Sequence, residues 1–131
     1  MIYQSFIEVH STFQLIHRGL DLAQERFNKV LLSAVEESLS SLGDSSKQAI
    51  LYHLEASFKI KKEHIPSNLT EFANALEGIF GPGASFLEQL ITQRLYEKLG
   101  LSPEGDVQSG FLECMDCARK KLMIEKECAL R

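Results

Sequence analysis

At 131 residues, with 44% apolar and 24% charged side chains, the chain has the length of one domain and enough apolar content for a folded core. The net charge is −4 and no third of the chain is basic overall, which disfavours a protein that tracks a nucleic-acid backbone. There is no apolar run long enough to cross a membrane. The opening MIYQSFIEVH lacks a basic leader, and the three cysteines read as free thiols, so a cytoplasmic setting is expected.

In the first third, apolar residues recur at 3-4 spacing: Ile2, Phe6, Val9, Phe13, Ile16, Leu20, Ala23, Phe27, Val30 and Ala34. That period predicts a long amphipathic helix over 1–41, about 50 Å from end to end at about 1.5 Å per residue. Aromatic residues occupy seam positions where a two-stranded zipper would carry leucine, and the flanks hold little charge, so the helix is expected to pack in its own subunit or in a homo-oligomer. Residues 1–17 are rich in Ile, Val, Phe and Thr and carry Glu8 as their one charged side chain. A β-hairpin turning near His10-Ser11 is therefore the alternative for that stretch.

Ser40-Ser41-Leu42-Gly43-Asp44 breaks the stripe. Ser45 and Gln48 have capping-box spacing for a second helix, which turns Ile50, Leu51, Leu54 and Phe58 to one face. Lys59 to His64 ends it, and Ile65-Pro66 predicts an extended turn. Asn68 with Glu71 repeats the capping-box spacing before a third helix with Leu69, Phe72, Ala73, Leu76, Ile79 and Phe80 inward. Gly81-Pro82-Gly83 makes a corner. A fourth helix follows with Leu87, Leu90, Ile91, Leu95 and Leu99, and Gly100 and Pro103 stop it. After a loop, Phe111, Cys114, Met115, Ala118 and Leu122 stripe a last helix. The expected fold is all-α, about five helices: 1–41 for packing or oligomerisation, 42–101 as a module, and 102–131 completing the core. A module of about sixty residues buries only about 60% of its unfolded surface, so its flanks are expected to share its core.

That module resembles an archaeal family known as the Nitrosopumilus output domain. The likeness rests on LGDSSKQAILYHLE (42–55), the HIP of 64–66 and LEGIFGPGASFLEQLITQRLYEKLGL (76–101). What it implies is a small output module of archaeal signalling proteins, with no catalytic residues to transfer.

Few residues invite chemistry. At the corner, Gly81, Gly83, Ala84 and Ser85 could offer backbone N–H groups to an anion, helped by a helix N-terminus. Neither a phosphate-loop nor a dinucleotide-binding pattern is present, and a purely structural corner explains the glycines as well: Gly81 as a left-handed cap, Pro82 as a stop, Gly83 for close approach. Cys114 and Cys117 form a CxxC, with Cys128 returning to the same face. Eleven residues of helix rise about 16 Å, too far for one zinc ion, so a core role is expected for Cys114 and no metal or other cofactor is predicted. His10 and His17 lie too far apart along a helix to share a metal, and His53 has no orienting partner at readable spacing. Glu36-Glu37 reads as a solvated face, and Lys59, Lys61 and Lys62 as cations complementing a helix end. The expected function is a non-enzymatic regulatory module that works by association with itself or with a partner protein. Two alternatives are a helix-turn-helix nucleic-acid binder around 44–80 and a small-anion or nucleotide binder at 81–85.

Overall fold

The computed structural model describes residues 22–102 and 110–130, with side chains as far as Ile124. The fold is all-α: five helices, and no strand among the described residues. The first helix, α1, runs over 22–40 within the described span. It is followed by α2 (Asp44–Phe58), α3 (Leu69–Phe80), α4 (Ala84–Leu99) and α5 (Phe111–Leu130). Short 3₁₀ turns at Lys62–Ser67 and Gly81–Gly83 precede α3 and α4. The alternative of a β-hairpin at 1–17, and the loop over 103–109, lie outside the described residues.

One core gathers residues from all five helices. α2 packs on α3, α3 on both α4 and α5, and α4 on α5. From α1 come Ala23, Phe27, Leu31, Ala34, Val35 and Leu39, all buried. The stripe thus starts on the predicted residues and then passes to Leu31, leaving Val30 half-buried at its edge. A period of 3.6 drifts off a strict heptad in this way. Burying side chains the size of Phe27, Leu31, Val35 and Leu39 is worth about 1.5–3 kcal/mol each, so α1 is a structural part of this core. Two positions were misjudged from sequence. Phe58 is 38% exposed instead of inward, its ring lying over Gly78 at the surface. On α3 the fully buried alanine is Ala75, while Ala73 is half-buried.

The helix ends are made by backbone more than by side chains. Neither predicted capping box forms. Gly43 (φ 106°, ψ 150°) is the residue that precedes α2, and no side chain caps that end. Ser45 already lies inside the first turn, two residues past the capping position at Gly43. Asn68 does stand at the start of α3, but its Nδ2 donates to the His64 carbonyl at 3.0 Å, back into the preceding turn. That turn is 3₁₀, not extended. Ile65 is fully buried there, and the N–H groups of His64 and Asn68 bond to the Lys61 and Ile65 carbonyls on either side of Pro66, which has no N–H to offer. α2 ends on Lys59 in the left-handed region (φ 59°, ψ 31°), so the Leu54 carbonyl accepts N–H groups from both Lys59 and Ile60. This bend carries Ile60 into the core. α4 ends on Gly100 (φ 69°), with Gly100 N–H bonded to Glu97 and Leu101 N–H to Tyr96, and Leu101 folds back against the core.

Candidate functional site: the glycine corner and the charged edge of α1

Three residues join α3 to α4. Gly81 has φ 59° and ψ −131°, which is positive in φ as expected but not the left-handed helical cap. A side chain rarely adopts that combination, although a Cβ at Gly81 would meet nothing within 4 Å. Several donors that an anion would use are already engaged, Gly81 N–H among them, bonded to the Glu77 carbonyl. Ala84 N–H bonds to the Gly81 carbonyl, and Ser85 Oγ donates to the Pro82 carbonyl at 3.0 Å. Gly83 is in helical conformation, so the 3₁₀ turn runs straight into α4 without an open cradle. Glu88, half-buried on α4, has its pKa raised, first by burial and then by the negative charge of Glu77 on α3. The four residues Gly81, Gly83, Ala84 and Ser85 are thus brought together as a structural corner between α3 and α4.

A denser polar arrangement lies along α1. Glu37 Oε1 accepts from Lys98 Nζ at 2.7 Å, and Glu37 Oε2 faces Arg94 Nη1 at 3.4 Å. Arg94 Nη2 reaches Ser41 Oγ at 3.5 Å, while its Nε is buried without a hydrogen-bond partner among the described residues. One residue earlier, Glu36 Oε1 pairs with Lys62 Nζ at 2.6 Å. Hydrogen bonding to Lys62 holds the Glu36 pKa low, with a smaller share from the Lys62 and Lys47 charges, and Glu36 in turn raises that of Lys62. Lys98, foremost, and Arg94 hold Glu37 low. So Glu36-Glu37 is not simply a solvated face. The two carboxylates pair with basic side chains from the Lys62–Ser67 turn and α4, and the Lys47 charge on α2 also favours the ionised Glu36. Sequence pointed to this in one way: the pair directly follows Ala34-Val35 and so must flank the core. Lys62 is likewise committed to Glu36, and Lys59 forms the cap itself, so the cluster does not act on a last helical turn.

The remaining candidates are dispersed. Cys114 is buried in the core, its backbone carbonyl accepting from Tyr96 Oη at 3.1 Å, and Cys117 is half-buried. Tyr96 was missed from the sequence because its hydroxyl disguises a core residue. No group of three His, Cys, Asp or Glu side chains among the described residues could hold a metal. His53 is exposed, with Nδ1 3.3 Å from Ser57 Oγ and its ring edge-on to Phe58 at 5.8 Å. His10, His17 and the side chain of Cys128 lie outside the described residues, as do Ile2, Phe6, Val9, Phe13, Ile16 and Leu20. Phe27 and Val30, the described members of the proposed oligomer seam, pack against their own subunit's core. The link between α2 and α3 runs through residues 59–68, ten positions, where a helix-turn-helix has a turn of about three or four. Among the described residues no helix is long and apolar enough to cross a membrane. Comparison with protein-family models, with curated proteins and with solved structures finds no match.

Proposed function

We propose that this protein is a non-enzymatic helical module that works through association, in the first place with a second copy of itself through the 1–41 segment. The observation that carries this reading is the mismatch between the apolar stripe and its cover. From Ala23 onward the stripe is buried by the chain's own helices, and the same spacing continues upstream through Leu20, Ile16, Phe13, Val9, Phe6 and Ile2. A stripe of that extent is what association surfaces are made of. The resemblance of residues 42–101 to an archaeal signalling-output module supports a regulatory use in the cytoplasm, with assembly as the output or its precondition.

Light scattering across a concentration series tests it. A dimer or larger species at tens of micromolar is expected, and Phe13→Glu with Ile16→Glu shifts it to monomer. A strict monomer at those concentrations overturns the proposal.

A further inference from the structure

Beyond the 1–41 segment, we propose a second self-association surface: the outer face of α2, which docks antiparallel on the α2 of another copy about a two-fold axis. α2 turns only Ile50 and Leu54 fully into the core. On its opposite side Ala49, Tyr52 and Ala56 fall within about 60° of one another, at about 100° per residue. All three are exposed, and Tyr52, at 74%, is the most exposed large apolar side chain among the described residues. An aromatic ring standing between two alanines is a knob beside a shallow hole. In an antiparallel pair each Tyr52 seats over the Ala49 and Ala56 of the other copy. Tyrosine is enriched among the residues that carry most of the binding energy at interfaces.

What commits this face to a second copy is its charge pattern. Asp44, Gln48 and Glu55 lie along one flank of the stripe, with Lys59 at the C-cap beyond them, and all four are exposed. A two-fold axis between antiparallel helices sets equal flanks against each other. One register, centred between Leu51 and Tyr52, places Asp44 opposite Lys59 and Gln48 opposite Glu55, each twice. A parallel pairing would instead set Asp44 on Asp44 and Lys59 on Lys59. Among the described residues neither Asp44 nor Lys59 has an ion-pair partner in its own copy, so both charges are available. One helix face is small against the about 800 Å² per partner of a stable complex, so this contact is weak and fills at roughly hundreds of micromolar.

Charge exchange between two variants of the full chain tests it. Asp44→Lys alone sets two cations together at each contact, and Lys59→Asp alone sets two anions together, aspartate being tolerated at a left-handed φ. Mixing the two variants restores opposite charges at both contacts. Sedimentation equilibrium reads the step in mass between tens and hundreds of micromolar, above whatever the 1–41 segment forms at the lower concentration. Each variant alone, and Tyr52→Ala, should weaken that step by about tenfold, and the equimolar mixture of the two charge variants should recover the parent's. A mixture no better than either variant alone overturns the pairing, as does a Tyr52→Ala chain that associates like the parent. A parent with no step overturns the α2 interface and leaves the reading of 1–41 standing, while a parent that is monomeric at tens of micromolar and steps above them overturns only the latter.

Discussion

Two glycines three residues apart should respond to alanine with opposite signs. Gly78 lies inside α3, where glycine is poorer than alanine by about 0.8–1 kcal/mol. A Cβ there would come 3.3 Å from Phe58 Cζ, a few tenths of an ångström too close, but Phe58 is a surface ring that can shift. Part of the gain is lost in that movement, and Gly78→Ala is expected to stabilise by about 0.5 kcal/mol. Gly81→Ala enters open space, yet its backbone combination costs a side chain about 1–3 kcal/mol. Reduced freedom of the unfolded chain returns about 0.4–1 kcal/mol, for a net loss of about 1–2 kcal/mol. Urea denaturation with unchanged slope reads both, and thermal melts should move by about 3–5 °C per kcal/mol at this size. If Gly81→Ala were as stable as the parent, backbone strain would not be what fixes the corner. If Gly78→Ala were the more damaging of the two, Phe58 would be held far more firmly than its exposure implies.

Tyr96→Phe removes the buried hydroxyl that reaches the Cys114 carbonyl and should cost about 1 kcal/mol in the same assay, with the helix content unchanged by circular dichroism. Phe27→Ala empties a fully buried position on α1 and should cost about 3–5 kcal/mol, distinguishing a core helix from a loosely attached one. Glu36, Glu37 and Asp116 have pKa values below their ordinary 4.5, 4.5 and 3.8, so they add stability above those values and lose it as pH falls through their lowered ones. Melting temperature should therefore drop on acidification below about the ordinary carboxylate range. Glu88 has the reverse sign. Its raised pKa means that its contribution is complete below 4.5 and is lost as pH rises through the raised value, so Glu88→Gln should raise the melting temperature at neutral pH and make no such gain in acid.

The four later helices were legible because their signals are local. Apolar 3-4 spacing marks α2 to α5, and Gly43, Pro66, Gly81-Pro82-Gly83 and Gly100 punctuate them. Side-chain caps were overread, since Ser45 and Asn68 have the chemistry of caps while the backbone at Gly43 and the 3₁₀ turn before α3 decide the geometry. The Ile65-Pro66 turn was misjudged for a related reason: burial of Ile65 outweighs the preference that proline imposes on its predecessor. At the candidate site, the corner residues could be named from sequence but not their engaged donors. The α1 ion pairs were invisible because Glu37 meets Arg94 and Lys98 across separations of 57 and 61 residues, and no periodicity carries that information.

The three-residue joint between α3 and α4 leaves no slack to absorb an insertion. One added residue there would swing α4 about 100° around its axis, turning Ile91 and Leu95 to water and Arg94 and Lys98 away from Glu37. Length at 81–83 should therefore tolerate far less variation than residue identity on the exposed side of α4. A natural or engineered variant that changes it would have to rebuild the bundle's packing and its α1 dock at the same time.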